Sequence, residues 1–173
     1  MMKLFNLKNI FFKDNISTST SDNLIMTVIT KETFNEFKDE FVKVMEDNNM
    51  SYKLPIDFER YFLEYFKLES QNEIVGFTLT EKKMPLNLSK FAISKKWQNC
   101  GIGKVALKLW EDHNNKMFLK LNVYNYMIHA ECDKSTIGFY KKQGYKQYGG
   151  YKREENGKML DRIFINKFIV LKV

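Results

Sequence analysis

The sequence predicts an α/β (α+β) domain in which helices pack on both faces of one mixed, twisted sheet. Two observations predict this class. Segments with strand-like alternation and segments with apolar residues at helical spacing follow one another in the order β-α-α-β-β-α-β-α-β-β. The chain of 173 residues is 44% apolar and holds 15 Phe and 9 Tyr, enough for a sizeable core in a single domain.

Residues 1–23 are predicted to be an N-terminal extension, disordered or loosely docked, that precedes the domain at 24–173. Residues 1–13 are basic and partly apolar, and residues 16–21 are rich in Ser and Thr. Because Lys8 interrupts the apolar part and no small-residue cleavage site follows, a secretory signal is not predicted. A transit peptide is the alternative.

The first strand and the first two helices are predicted from alternation, capping and helical spacing. Residues 24–30 have strand character, and Thr30 is a candidate cap for a helix over 31–48. Its apolar face would hold Phe34, Phe37, Phe41, Val44 and Met45. A second helix is predicted to begin after Pro55, because aromatic residues recur there at helical spacing. They are expected to belong to the core: Phe58, Tyr61, Phe62, Tyr65 and Phe66.

The rest of the domain is predicted to alternate between strands and helices. A turn at 69–72 suggests a hairpin with a neighbouring strand. Two helices are expected, one from Gly103 to about residue 121 and one over 134–143 that Asp133 caps and Gly144 ends. Strands are expected at 73–83, 88–94, 126–132, 145–153 and 158–171, the last two forming a hairpin around 154–157.

The charge of the chain is uneven. The formal net charge is +7, and residues 141–173 alone hold nine Lys or Arg against three acidic residues. A basic C-terminal end suggests an anionic ligand, although solubilising lysines are an alternative interpretation. Nucleic acid is not predicted as a partner, because no recognised nucleic-acid motif is present.

The numbers of cysteines and histidines and the short apolar runs exclude other classes of protein. Two Cys are too few for a disulfide framework, and with two His they show no metal-ligand spacing, so we expect a reduced, cytoplasmic setting and no metal. No run approaches 18 apolar residues, so no membrane span is expected.

The most informative segment follows the predicted strand at 88–94 and opens the next helix. It consists of Gln98, Asn99, Cys100, Gly101, Ile102, Gly103 and Lys104. A strand, a turn with two glycines and a helix N-terminus together can hold a pyrophosphate on backbone N–H groups. The Walker and dinucleotide patterns do not match, because Val105 follows Lys104 and no third glycine is in register. A plain helix-capping turn is the alternative.

The pattern Gln-x-x-Gly-x-Gly resembles that of the GNAT acetyltransferases. A second match follows in the right order, with Phe139-Tyr140 and then Gly144-Tyr145 closing a helix. Together they imply the GNAT fold, a mixed and mostly antiparallel sheet, and acetyl-CoA on the loop. Within that superfamily residues 126–145 resemble glucosamine 6-phosphate N-acetyltransferase, including its acid-Cys pair at Glu131 and Cys132.

The resemblance implies roles on the donor side. The backbone N–H groups of residues 98–104 would bind the pyrophosphate, and the splayed strand at Phe91, Ala92 and Ile93 would pair with the pantetheine. Thr136, where the family has an Asn, is assigned to the cofactor site. Tyr140 would donate a proton to the departing thiolate.

The acceptor side matches the family less well. Glu131 aligns with an acidic residue near the acceptor amine, and the backbone carbonyl of Lys90 is a candidate for holding that amine. Ser89 and Lys90 stand where the family has a Glu-Asp pair, so no general base is identified. The residues implied for a sugar phosphate are Arg162 first, then Arg153 and Lys158.

The resulting hypothesis is an acetyl-CoA-dependent N-acetyltransferase that is cytoplasmic and homodimeric. Its expected acceptor is D-glucosamine 6-phosphate, converted by direct transfer to N-acetyl-D-glucosamine 6-phosphate for UDP-N-acetylglucosamine. One alternative is a GNAT enzyme for a protein N-terminus, a lysine or a polyamine. The other is a catalytically silent GNAT domain that binds CoA.

Overall fold

A computed structural model describes residues 24–69, 71–155 and 157–172, so the extension predicted at 1–23 lies outside the described residues. These ranges hold a seven-stranded sheet in the order β1-β2-β3-β4-β5-β7-β6. The strands are β1 Leu24–Ile29, β2 Tyr61–Leu68, β3 Glu73–Glu81, β4 Leu86–Ile93, β5 Asn125–Asp133, β6 Lys146–Glu155 and β7 Lys158–Val170. The α-helices are α1 Lys38–Asp47, α2 Ile102–Lys120 and α3 Ile137–Lys142. The mixed, mostly antiparallel fold is as predicted.

Helices cover the two faces of the sheet unequally. On one face α2 packs a long core that includes Trp110 and extends from β1 to β7. On the other face α1 packs Phe41 and Met45 against β1 to β4 only. The outer half of the second face, on β5, β7 and β6, therefore carries the more exposed side chains, among them Tyr148 and Phe168.

The second predicted helix is wrong, because four of its five aromatic residues, from Tyr61 to Phe66, lie in strand β2. This strand lies between two antiparallel neighbours, with Tyr65 opposite Thr27 on β1 and opposite Phe77 on β3. An interior strand is buried on both faces, so it lacks the alternation of an edge strand, and a short apolar run alone does not distinguish strand from helix. The order is therefore β-α-β-β-β-α-β-α-β-β, and the hairpin suggested at 69–72 joins β2 to β3.

Both predicted caps are also wrong. A 3₁₀ helix at Phe34–Glu36 precedes α1, and the Thr30 side chain contacts Thr33 in the intervening turn. Helix α3 begins after Thr136, with no side-chain cap. The Asp133 carboxylate instead forms an ion pair with an arginine on β7, because tertiary pairing competes with capping at a strand end.

Strands β4 and β5 are joined only briefly. Their parallel pairing covers three residue pairs, from Leu86 opposite Ile128 to Leu88 opposite Ala130, although β4 continues to Ile93. A register shift between β3 and β4 falls next to this point. Gly76 supports the free end of β4, because a Cβ there would lie 2.4 Å from the Ala92 carbonyl oxygen. Beyond Leu88 the two strands diverge and leave a gap in the sheet.

Candidate active site

A cleft of about 1530 Å³ opens where β4 and β5 diverge. Ligand pockets of ordinary size measure roughly 300–1,000 Å³, so this cleft has room for a large cofactor and an acceptor together. The half that the sequence assigns to the cofactor, called the donor half below, is bounded by the end of β4, the loop before α2, and α3. The half that it assigns to the acceptor amine, called the acceptor half, is formed by β5, β6, β7 and the segment from residue 48 to 61.

The loop at 98–104 has the conformation that backbone anion binding requires. Asn99 and Gly101 have positive φ values of 61° and 90°, and Gly101 is the N-cap of α2. The first turn of α2 contains no acidic residue. The first N–H groups of a helix have no intrahelical acceptors, so those of Ile102 and Gly103 and the positive end of the helix dipole are available at the cleft mouth. The Lys104 N–H already donates to the Gly101 carbonyl oxygen at 3.1 Å.

The side chain of Gln98 anchors this loop to β4. Its amide donates to the Ile93 carbonyl oxygen at 2.9 Å and to Asn48 Oδ1 at 2.9 Å. Asn48, at the end of α1, also donates to the Ile93 carbonyl oxygen at 3.1 Å. The contribution of Asn48 was not predicted, because it lies 50 positions from Gln98 in sequence and no local signal marks this contact.

Tyr140 lies at the junction of the two halves. It lines the cleft and is only 7% exposed, with edge contacts to Phe139 at 5.1 Å and Tyr145 at 5.5 Å between ring centroids. Burial, and to a lesser extent the Cys132 thiol, raises the pKa of the Tyr140 phenol well above its ordinary value. The phenol therefore stays protonated over the physiological range and is a proton donor.

A charged group that we call the acceptor cluster stands on the open face of β5, β6 and β7. It comprises Glu131, Asp133, Tyr151 and Arg162. The Arg162 guanidinium lies 2.8 Å from Asp133 Oδ1 and 3.6 Å from Glu131 Oε1, and its side chain is 14% exposed. The Tyr151 hydroxyl donates to Glu131 Oε2 at 3.1 Å. Glu131 is thus held in place from two strands.

An aromatic group next to the acceptor cluster was not predicted. His129 stands two residues before Glu131 on the same face of β5, with its Nδ1 3.1 Å from the Tyr148 hydroxyl. The Tyr148 and Tyr151 rings stack on either side of Phe164, at 5.8 and 5.2 Å. The two-residue period of β5 was the signal that could have placed His129 with Glu131.

The other predicted site residues divide into two groups. Those that line the cleft are Lys90, Phe91, Ile93, Gln98, Asn99, Gly101, Gly103, Lys104, Glu131, Thr136, Tyr140, Arg153 and Arg162. Ala92 is instead buried in the core under α1. The Cys100 thiol points to the Trp97 carbonyl oxygen, 2.9 Å away, and Ile102 packs against the core under α2. The side chain of Lys158 lies outside the described residues.

The described residues show neither a metal-binding group nor a membrane-spanning helix. Within residues 24–69, 71–155 and 157–172, His, Cys, Asp and Glu do not form a group of three that could hold a metal ion. In the same part of the chain, no helix combines the length and the apolar character needed to span a membrane.

Comparison with known proteins identifies the domain. The family model described as an acetyltransferase (GNAT) domain matches residues 24–160, most of the chain. No curated protein sequence matches it significantly.

Solved structures share the fold at low sequence identity. The ribosomal-protein-S18-alanine N-acetyltransferase of Escherichia coli is 13% identical, with a TM-score of 0.65 over 87% of this chain and 96% of that one. An acetyltransferase of Bacillus subtilis in complex with CoA is 16% identical, with a TM-score of 0.60 over 85% and 99%. A GNAT family acetyltransferase of Elizabethkingia anophelis with acetyl-CoA bound is 19% identical, with a TM-score of 0.53 over 84% and 98%.

Proposed function

Because the chain belongs to the acetyltransferase (GNAT) family, we propose that it transfers the acetyl group of acetyl-CoA to the primary amine of a small anionic acceptor. The acceptor that we favour is D-glucosamine 6-phosphate, which would yield N-acetyl-D-glucosamine 6-phosphate for UDP-N-acetylglucosamine. The same proposal includes a cytoplasmic homodimer. The coarser activity, acetyl transfer from acetyl-CoA, follows from family membership and from the form of the loop at 98–104.

The charge of the cleft is the observation that supports an anionic acceptor. Eight Lys or Arg residues line it against three acidic residues. The cations are Lys53, Arg60, Lys83, Lys90, Lys104, Lys142, Arg153 and Arg162, and the acids are Asp57, Glu131 and Asp133. Lys104 and Lys142 belong to α2 and α3, which bound the donor half and would face the phosphates of CoA. The remaining cations surround the acceptor half, where a second anion would be stabilised.

The donor half is suited to hold the thioester. The N–H groups at the start of α2 would bind the pyrophosphate, and the free edge of β4 from Phe91 to Ile93 would hydrogen-bond the pantetheine amides. An N–H group on that edge would also donate to the thioester oxygen as negative charge develops there. Within the part of the chain that the structure describes, this edge has no strand partner beyond Leu88, because β5 has already diverged.

The acceptor half and Tyr140 complete the reaction. Glu131, fixed by Tyr151 and Arg162, would hold the acceptor ammonium near the thioester. Tyr140 would give its proton to the sulfur as the carbon–sulfur bond breaks. Its burial makes it a weaker acid, but the thiolate that forms in the same water-poor site is destabilised as well, so the proton transfer stays favourable.

Acetylation of a protein N-terminus, a lysine or a polyamine is a second candidate, favoured by the state of Arg162. This arginine, the first choice for a sugar phosphate, already contacts two carboxylates. A site in which Glu131 and Asp133 bind the acceptor ammonium would not need a phosphate on the acceptor. The E. coli structure with the same fold is, by its name, an N-acetyltransferase for an alanine of ribosomal protein S18.

An acceptor screen tests these proposals. Release of the CoA thiol is measured with acetyl-CoA and one of four amines. These are glucosamine 6-phosphate, glucosamine, spermidine and a peptide with a free N-terminal alanine. We expect the highest kcat/KM with glucosamine 6-phosphate and little turnover with glucosamine. A higher kcat/KM with the peptide or with spermidine would identify that amine as the acceptor in place of the sugar phosphate. CoA binding without turnover of any amine would support the silent domain.

A further inference from the structure

We propose that His129 and Tyr148 form the proton relay that deprotonates the acceptor amine. This inference rests on the proposed N-acetyltransferase activity and concerns a step for which the sequence indicated no residue. An amine that is protonated in solution must lose a proton before it can attack a thioester carbon. Ser89 and Lys90, at the start of the free end of β4, offer no carboxylate for this purpose.

The carboxylates of the acceptor cluster are already engaged. Asp133 accepts a hydrogen bond from Arg162 at 2.8 Å, and Glu131 accepts one from Tyr151 at 3.1 Å while lying 3.6 Å from Arg162. Groups fixed in this way are suited to attract and orient an ammonium. Among the described residues that line the acceptor half, the imidazole of His129 is the remaining group with an unprotonated nitrogen for proton transfer.

The contact of His129 with Met127 favours one tautomer of the imidazole. Its Nε2 lies 3.0 Å from the sulfur of Met127, and a thioether sulfur accepts hydrogen bonds but cannot donate them. This contact favours the tautomer with the hydrogen on Nε2 and the lone pair on Nδ1. In that tautomer the Tyr148 hydroxyl, 3.1 Å from Nδ1, is the donor in their hydrogen bond. The oxygen lone pairs of Tyr148 stay available to a donor from the cleft.

The position of the pair fits the task. His129 is opposite Asn87 in the parallel pairing, one residue before the last pair and the divergence of β4 and β5. Tyr148 is 52% exposed and lines the cleft, and its ring is held parallel to Phe164 at 5.8 Å. The ring of Tyr148 is thus held in place by stacking, and its hydroxyl is open to the acceptor amine in the cleft.

The charged and titratable neighbours of the pair come from three strands. Glu131 is on the same face of β5, Arg162 is on β7, and Tyr151 is on β6. On the neighbouring strand β4, Asn87 is paired with His129, and its side chain donates to Glu81 of β3 at 3.0 Å. An imidazolium formed at His129 would therefore have the Glu131 carboxylate nearby to stabilise it.

The proposed step balances its protons. The acceptor ammonium gives one proton to the Tyr148 oxygen as Tyr148 passes its own to Nδ1 of His129, and the imidazolium then releases a proton to solvent. The neutral amine forms the nitrogen–carbon bond as the carbon–sulfur bond breaks. The sulfur takes the proton of Tyr140, and the second proton lost by the nitrogen restores Tyr140.

The test compares an acceptor that needs deprotonation with one that does not. The first is glucosamine 6-phosphate, or the peptide or spermidine if one of those gives the higher wild-type rate. The second is hydroxylamine, which is largely unprotonated at neutral pH. His129→Gln and Tyr148→Phe should each lower kcat/KM for the first acceptor by about 100-fold at pH 6.5, and change the rate with hydroxylamine by less than about threefold. The rate of both variants with the first acceptor should rise with pH and approach that of the wild type.

Matched variants separate the relay from structural damage. Tyr148→Phe keeps the ring that stacks on Phe164, while Tyr124→Phe and His113→Gln remove the same groups outside the cleft and should leave both rates unchanged. Wild-type rates in His129→Gln and Tyr148→Phe, or equal losses with both acceptors, would overturn the relay and leave the proposed function intact. No thiol release by the wild type with any amine would overturn both.

Discussion

The donor half of the cleft is built mainly from backbone groups, and the acceptor half mainly from side chains. In the proposed function, the donor half would use the backbone of seven consecutive residues, 98–104, together with the free edge of β4. The acceptor half uses side chains from three strands, with Asp133 and Arg162 in contact across 29 positions of sequence. A backbone site depends on local conformation and tolerates many side chains. A side-chain site changes with each substitution, and a family can keep its donor while altering its acceptor.

The largest expected effect is at the junction of the two halves. Tyr140→Phe removes the proposed proton donor and should lower kcat by about 100-fold, because the thiolate would leave unprotonated. The KM for acetyl-CoA should stay within about twofold, since the ring and its packing are retained. Steady-state kinetics with a circular dichroism spectrum would check this. Turnover equal to that of the wild type would remove Tyr140 from the mechanism.

A buried carboxyl outside both halves should affect folding without affecting the cleft. Glu64 is 2% exposed and accepts from the Thr78 hydroxyl at 2.6 Å, and burial raises its pKa from 4.5 to about 7. Between these values the unfolded chain has lost the proton that the folded chain still holds. Stability that is present at low pH is therefore lost as pH rises.

For Glu64 this predicts that wild-type unfolding free energy falls by about 2 kcal/mol more than that of Glu64→Gln between pH 5.5 and 8. Urea denaturation at the two pH values measures the difference. Both KM values should be unchanged at pH 8. Parallel pH dependence of the two proteins would show that the carboxyl does not titrate as described.

The donor half can be tested at one backbone position. Gly101 has a φ of 90°, and its missing Cβ would meet nothing within 4 Å, so Gly101→Ala tests conformation rather than space. The left-handed region costs a non-glycine residue about 1–2 kcal/mol. Since about 1.4 kcal/mol corresponds to a tenfold change in binding, we expect the KM for acetyl-CoA to rise about tenfold. The KM for the acceptor should be unchanged. Gly138→Ala, in α3 and also without close neighbours, is the control.

If Gly101→Ala raised both KM values equally, the division of the cleft into two independent halves would be wrong.

The smallest effect is expected on the acceptor side. Arg162→Ala should raise the KM for glucosamine 6-phosphate about fivefold, which is the size of about 1 kcal/mol of binding. A larger loss is not expected, because Asp133 and Glu131 already balance part of the charge of Arg162. Arg162→Lys should give an intermediate value. An unaltered acceptor KM would exclude Arg162 as a ligand of the phosphate.

The sequence allowed prediction of the elements whose signals are local. The loop at 98–104 was located from the spacing of Gly101 and Gly103, and the hairpin of β6 and β7 from its turn. Strand β2 was mistaken for a helix, because the aromatic residues at 61–66 fit both periods until their neighbours are known. Propensity is a weak guide where a segment is paired on both sides.

The acceptor site was only partly predictable for the same reason. Glu131 could be named from the motif that ends at Tyr145. The partners that fix it, Tyr151 and Arg162, follow from the register of β5, β6 and β7, which is set by long-range pairing. His129 and Tyr148 were missed because their contact crosses 19 positions of sequence and belongs to no motif.

The brief pairing of β4 with β5 has a thermodynamic consequence. Three residue pairs and the core beneath α2 join the two parts of the sheet, so a molecule that hydrogen-bonds the free edge of β4 acts as a further cross-link between them. Any ligand that binds only the folded chain raises its stability, by about 4 kcal/mol at a thousandfold excess over Kd. Because acetyl-CoA would bridge this gap in the sheet, its concentration would determine the resistance of the folded protein to heat and to proteolysis.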